Sequence, residues 1–244
     1  MWLIYEVTFR IKPYSVQYRD NRHQPHMSST SPLSQNLIDF IRQGTLQTFS
    51  KGEQILRGDT KPTGVFWIDS GYVKVYSITD SGQENVHSIY GPGAIFPIVW
   101  VITGKLRPVF YEALGPVCIY RCNREQFLAY LDQDIAACKD VLRVAVEMFN
   151  NYADRVDNLE QTLSSSRIIH RLIRLAEQHG EKQEKGILIK PPLKHHDIAN
   201  SANCSRETVS RELARLEKKG LVSYKEQHIF IPDLQLLSKE LHSN

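Results

Sequence analysis

Lys-His-His-Asp-Ile-Ala-Asn-Ser-Ala-Asn-Cys-Ser-Arg-Glu-Thr-Val-Ser-Arg-Glu-Leu-Ala-Arg-Leu-Glu-Lys-Lys, residues 194–219, reads as two helices joined by a tight turn. Ile198 and Ala199 put an apolar and a small residue on the inner face of the first helix. Asn203 is a residue that tolerates the left-handed backbone a sharp turn needs. Ser205 is a good N-cap, but Thr208 stands where a capping box wants Glu or Gln, so the cap is partial. Val209, Leu213 and Leu216 recur at helical spacing and face inward. Arg206, Glu207, Ser210 and Arg211 fall on the opposite side. Two guanidiniums, a carboxylate and a hydroxyl within two turns are the side chains that read base edges in a DNA major groove. Most charged helix faces are merely solvated. Here, however, the polar residues cluster in the N-terminal half of the second helix, the half that enters the groove.

The same run closely resembles the DNA-binding motif of the cAMP receptor protein and fumarate-nitrate regulator (Crp/Fnr) family. Cys-Ser-Arg-Glu-Thr-Val-Ser-Arg, residues 204–211, is similar to that family's recognition-helix signature almost letter for letter. A second stretch carries the resemblance further: Lys51-Gly52-Glu53, Gly58-Asp59, Ser70-Gly71-Tyr72-Val73-Lys74-Val75 and Gly91-Pro92-Gly93 are similar to the family's β-roll. The likeness covers nearly all of residues 33–232. It implies an α+β architecture: an N-terminal antiparallel β-roll, a long dimerisation helix and a C-terminal winged helix-turn-helix.

The residues support that order. Glycines at 52, 58, 64, 71, 82, 91 and 93 separate short apolar pieces such as Val65–Ile68 and Tyr72–Tyr76, the pattern of an antiparallel barrel or sandwich. Leu33, Leu37, Ile38 and Ile41 mark a short amphipathic helix over 33–43 before it. Further on, Ile135, Leu142, Phe149, Val156 and Leu163 repeat every seven residues, with Cys138, Ala145, Tyr152 and Leu159 three positions later. Sustained heptads argue a coiled-coil seam, against the alternative of a helix lying on its own domain. Such a helix spans about 45 Å at roughly 1.5 Å per residue, and the family resemblance implies a parallel homodimer there. Ser164-Ser165-Ser166 is a hinge and helix start, and a helix over 167–179 packs Ile168, Leu172, Ile173 and Leu175. The charged run 180–186 reads as a loop, and Ile187–Ile189 as a strand ended by Pro191-Pro192. Gly220 terminates the second helix of the motif. Leu221–Tyr224 and His228–Ile231 pair as a hairpin wing, and a helix over 233–242 closes the chain. The resulting division is an extension over 1–32, a sensor roll over 33–133, a dimerisation helix over 134–163 and a DNA-binding unit over 164–244.

In the extension, Trp2, Ile4, Val7, Phe9 and Ile11 suggest a strand and Asp20–His26 a polar linker. It reads as an accessory segment or a functional arm, Met27 could be an alternative translation start, and His23 and His26 make weak metal ligands without further partners.

Length and composition are those of a globular protein of one large or two ordinary domains. Net charge is +3 over 244 residues, unevenly placed. Residues 164–244 hold 14 Lys and Arg against 10 Asp and Glu, a balance of +4, whereas residues 1–163 hold 16 against 17, a balance of −1. The positive end coincides with the helix-turn-helix, as contact with phosphates favours. Cys118, Cys122, Cys138 and Cys204 form no CxxC pair and no disulfide framework, which suits a cytoplasmic protein with reduced thiols. No apolar run approaches the roughly 20 residues of a membrane span, and the first ten residues lack the basic start and cleavage site of a signal peptide.

Two recognition helices in a symmetric dimer must reach successive major grooves about 34 Å apart, which predicts a palindromic site. Arg206 and Arg211 each offer a fork to guanine, or clamp phosphate; Glu207 accepts from cytosine; Ser210 takes either role. Ser205, Lys194 and Lys225, the last at the wing tip, are expected on phosphates, setting register rather than sequence. The resemblance implies a TGTGA-like half-site and contacts with RNA polymerase.

The family's cyclic-nucleotide pocket uses a Gly-Glu pair for ribose and an Arg-Ser pair for the cyclic phosphate. The Glu position here holds Ile98 and the Ser position Pro108, leaving Arg107 alone. Unpaired sugar hydroxyls in a closed pocket weaken binding, so the residues argue against cAMP. Phe96, Ile98, Trp100, Arg107, Phe110 and Tyr111 are candidates for a pocket taking another effector; the aromatic ones are equally suited to plain core. An iron–sulfur cluster is argued against, because no cysteine precedes Cys118. Haem stays open, since one histidine such as His87 can ligate iron. No metal site and no cofactor is predicted. An enzyme of the cupin type needs a His-x-His pair with a later Glu and His, and His87 stands alone in the roll; no Ser-His-Asp or P-loop pattern appears either. The remaining alternatives are a cyclic-nucleotide-gated activator and a ligand-binding dimer that leaves DNA alone.

Overall fold

The computed structural model describes residues 33–242; the expected strand, linker, histidines and start site within 1–32 lie outside the described residues. A first helix, α1 (Gln35–Arg42), buries Leu37 and Ile41 against the roll. Eight strands follow: β1 (Thr45–Phe49), β2 (Gln54–Leu56), β3 (Val65–Ser70), β4 (Val73–Ile78), β5 (Glu84–Tyr90), β6 (Ile95–Phe96), β7 (Phe110–Ala113) and β8 (Val117–Cys122). They form two four-stranded antiparallel sheets, in the orders β1-β8-β3-β6 and β2-β7-β4-β5. Between them Leu56, Phe66, Ile68, Val73, Val75, Phe96, Tyr111 and Ile119 close an apolar core. The turn from β3 to β4 passes so close to the backbone at Pro116 that only glycine fits: Gly71 has φ +88°, and a Cβ there would lie 2.3 Å from the Pro116 carbonyl oxygen.

A short helix, α2 (Ile98–Thr103), interrupts the roll where the sequence shows only an apolar run. At six residues it is too short to display a helical period. Then α3 (Arg124–Gln133), capped by Asn123, leads into α4 (Ile135–Leu159), capped by Asp134 through the amides of Ala136 and Ala137. The long helix stops at Leu159, so Leu163 is not part of it but the residue preceding α5 (Ser164–His179). The serines therefore do begin a helix. The charged run after it is not a loop: the mostly exposed β9 (Gly180–Gln183) pairs with the half-buried β10 (Gly186–Ile189) as a hairpin, held by backbone bonds that polar side chains do not advertise. The motif itself is α6 (His195–Ala202) and α7 (Arg206–Lys218). The wing is β11 (Ser223–Lys225) and β12 (His228–Ile231), which joins β10 and β9 in one sheet, with Val222 buried just before it. The last helix is split into α8 (Leu234–Lys239) and a 3-10 turn over Glu240–His242.

The core of the DNA-binding unit is continuous with the roll. Ile168, Leu172, Ile198, Val209, Leu213 and Leu216 pack in one cluster with Tyr76, Val86 and Ile89 of the sensor sheet. Polar contacts cross the same boundary. Lys74 on β4, 2 % exposed, lies 2.8 Å from Glu84, 3.4 Å from Glu112 and 3.7 Å from Asp197 of α6. His179 bonds the Ile89 carbonyl at 3.0 Å, and burial pushes its imidazole down to about 4.

Candidate functional site

The turn between α6 and α7 has the expected geometry. Asn203 sits at φ 49° and ψ 56°, left-handed, and its amide closes onto the Ala199 carbonyl. Ser205 then starts α7: its hydroxyl accepts from the Thr208 amide at 3.1 Å and pairs with the Thr208 hydroxyl at 3.0 Å. That pair is the physical form of the partial cap. Val209, Leu213 and Leu216 are buried, as their spacing requires. The same rotation leaves Arg206, Glu207 and Arg211 exposed. Among the described residues none of these three side chains makes an ion pair or a hydrogen bond. Their donors and acceptors are all available to something outside the chain.

The other end of α7 is used differently. Arg215 bridges Glu212 on its own helix and Glu240 beyond α8, and Lys219 joins Glu240 at 2.6 Å. These carboxylates hold the Arg215 guanidinium above its ordinary value. The C-terminal half of the helix is thus fastened to the body, and the N-terminal half projects.

Ser210 is half-buried and already engaged: its hydroxyl lies 2.8 Å from His195 Nδ1. The other ring nitrogen of His195 lies 3.0 Å from the Tyr224 hydroxyl on β11. Burial, and then the nearby Arg206, push this imidazole below its usual value, so it is neutral near pH 7 and can accept from one hydroxyl while donating to the other. His195 and Tyr224 are site residues that the sequence did not disclose, because their contacts span 15 and 29 positions. Lys194 is exposed, and its amide donates to Asp197. Lys225 is at the end of β11 as expected, with its ammonium on Gln183 at 2.7 Å and 3.8 Å from the Phe230 ring centre.

The roll contains a narrow cavity of about 40 Å³. Of the six candidates, Ile98, Trp100, Arg107 and Tyr111 line it. Phe96 does not: it is 1 % exposed and stacks between Phe66 and Tyr111 in the core. Phe110 does not either: its ring stacks on Tyr76 at 5.4 Å, outside the cavity. Both are β-strand residues adjacent to pocket residues, and strand alternation sends them to other neighbours. Arg107 is exposed and lies 5.8 Å from the ring of Tyr152. Tyr90 and Tyr111 are driven upward by burial, so they remain neutral phenols. His87 is outside this cavity, with its Nε2 2.9 Å from the Ser77 hydroxyl, and burial pushes it down to about 4.

Along α4, Ile135, Leu142, Phe149, Val156 and Leu159 are exposed, with Phe149 at 71 %. Cys138 is exposed too, whereas Ala145 is half-buried. Tyr152 departs from the expected seam: it is half-buried and turns toward the roll's cavity. Val146, one position further round than Ala145, is exposed in its stead. The reason is local: the Tyr152 ring has Arg107 at 5.8 Å and His87 at 6.4 Å, both on the roll, while Leu159 one heptad later is exposed again. The result is a continuous apolar stripe that no other described residue covers.

Comparison with known proteins matches both halves. Residues 46–134 fit the family model of the cyclic nucleotide-binding domain, and residues 166–240 that of the Crp-like helix-turn-helix domain. The CRP-like cAMP-activated global transcriptional regulator of Mycobacterium tuberculosis is 24 % identical over 214 residues, covering 87 % of this chain and 92 % of that one. The transcriptional activator protein FnrA of Stutzerimonas stutzeri is 24 % identical over 210 residues, covering 83 % and 84 %. Among solved structures, a CooA mutant from Carboxydothermus hydrogenoformans superposes with a TM-score of 0.72 at 21 % identity, covering 89 % of this chain and 99 % of that one.

Proposed function

Because the chain belongs to the Crp/Fnr family of transcription regulators, we propose that it works in the cytoplasm as a homodimer reading a palindromic, TGTGA-like DNA site, with RNA polymerase as its further partner. The observation that carries this reading is the unpaired face of Arg206, Glu207 and Arg211 on a helix whose other end is fastened down. Arg206 and Arg211 supply forks for guanine and Glu207 an acceptor for cytosine. Ser210, held by His195, positions the helix against the wing as much as it reads. Ser205, Lys194 and Lys225 flank this face and meet phosphates. The apolar stripe on α4 supports pairing of two chains, since exposed apolar area of that length is stabilised by a partner.

The signal it answers is not cAMP in this proposal. The Mycobacterium tuberculosis relative is named as cAMP-activated, but here Ile98 is buried where a ribose carboxylate is needed, and Pro108 offers neither hydroxyl nor amide hydrogen. The roll cavity, about 40 Å³, is far below the roughly 300–1,000 Å³ of small-molecule sites. The reading contains no enzymatic step and no resident cofactor. Haem at His87 has weak support, because its Nε2 already faces Ser77.

Fluorescence anisotropy tests the proposal, using a palindromic duplex with half-site centres about 10 base pairs apart. Binding is expected to tighten at least ~10³-fold over a scrambled duplex at the same salt, and to collapse when half a helical turn is inserted between half-sites. Equal affinity for both duplexes would overturn sequence reading; insensitivity to the insertion would overturn the paired geometry.

A further inference from the structure

A second and far larger cavity, about 630 Å³, opens where the three parts of the chain meet. His87 and Ser88 of β5 form one wall, Arg155 of α4 a second, and Arg171 of α5 with Ser201 of α6 a third. The volume is within the range of about 300–1,000 Å³ typical of small-molecule sites.

Three guanidiniums face it, and they differ in their partners. Arg174 is neutralised, with Asp154 at 2.7 Å and Glu177 at 3.1 Å. Arg155 reaches neutral oxygens alone: the Val86 carbonyl, the Ser201 carbonyl and the Asn85 amide oxygen. Arg171 makes no ion pair among the described residues, and its Nε is buried without a hydrogen-bond partner. Burial, compounded by repulsion from Arg155 and Arg174, pushes Arg171 down to about 10. Asp157, the remaining acid on the lining, is exposed and pairs with neither. Two cations thus line two walls of one cavity, and neither makes an ion pair among the described residues. Leaving a buried charged donor unmatched is destabilising, and an anion between the two arginines removes both penalties at once.

We propose that this junction cavity is a binding site for a small multivalent anion, a phosphorylated or polycarboxylate metabolite gripped by Arg171 and Arg155. The site shares no lining residue with the roll cavity, and occupancy ties the sensor sheet, the long helix and the DNA-binding unit to one ligand. It stands independently of the DNA reading, because its test contains no DNA.

The test is isothermal titration of the full-length protein with inorganic pyrophosphate and, separately, with citrate, alongside the Arg171→Gln and Arg171→Lys variants. Saturable binding of at least one probe is expected, and which one binds identifies the phosphoryl or the carboxylate source. Arg171→Gln should weaken it by roughly 10–100-fold, the worth of one charged hydrogen bond. Arg171→Lys should fall between, keeping charge but losing the fork. Melting of the unliganded Arg171→Gln protein at or above the wild-type temperature is expected, since an uncompensated charge has gone; a variant that fails to fold hands the decision to Arg171→Lys. Binding of neither probe, or equal binding by wild type and both variants, overturns the proposal.

Discussion

The outer face of α7 and the cavity of the roll are both places where a regulator of this architecture meets something else, and they are built in opposite ways. On α7 the charged side chains are unpaired and displayed on a helix with a defined start and a fastened end. In the roll, side chains that could bind are turned to other work: Phe96 and Phe110 stack in cores, Tyr152 lines the cavity from α4, and Arg107 lies 5.8 Å from that same ring. Binding capacity survives where hydrogen-bonding groups are left over after folding, and is lost where packing has claimed them.

The largest effect should come from separating the two α7 faces. Phe149→Glu together with Leu142→Glu puts like charges along the stripe of α4. We expect a single-chain species by analytical ultracentrifugation and DNA affinity lower by roughly 10²–10⁴-fold, the contribution of linking two half-sites. Retained dimers would mean that α7 is paired by another surface. On the roll side, Phe96→Ala should lower stability by about 3–5 kcal/mol in urea unfolding. A loss well under that would place Phe96 in a binding site after all and erase the contrast. Arg206→Ala should weaken DNA binding by about 1–3 kcal/mol and relax discrimination at one base pair; a loss uniform across sequences would reduce Arg206 to a phosphate contact.

The histidines on the sensor side give a pH signature. His87 and His179 are held near 4 by burial against an ordinary value of 6.5. The unfolded chain therefore binds more protons, and their stabilisation is complete above pH 6.5 and lost as pH falls toward 4. The unfolding free energy from urea titrations should decline through that window by up to about 1.36 kcal/mol per pH unit for His179, and His179→Gln should flatten the decline. The smallest effect is at the cap: Ser205→Ala should cost about 1 kcal/mol of stability, with DNA affinity at full folding changed by less than Arg206→Ala changes it.

The local signals were legible before any coordinates. Asn203, Ser205 and the Val209–Leu213–Leu216 stripe are set by contacts within a few residues, and residue type alone announces them. An antiparallel barrel or sandwich was legible from the glycine punctuation, and the family resemblance narrowed it to the two-sheet roll that the structure has. What stayed hidden is non-local. The pairing of β9 uses backbone groups, the His195–Tyr224 contact joins distant segments, and the inward turn of Tyr152 depends on Arg107 and His87, far away in the chain. The unmatched Arg171 could not be foreseen either, because its isolation is a property of the neighbours that folding assembles around it.

The link Ser210–His195–Tyr224 has a consequence for how a signal can act. It welds the groove-seeking helix to the wing, so neither can be steered alone. In the proposed dimer, the four residues from 160 to 163 that separate α4 from α5 are a place for the chain to bend between them and the paired long helices. On the proposed reading, what the sensor reports is expressed as an angle at that wrist, and switching a gene on or off becomes a matter of whether two hands come to the grip distance of one turn of duplex.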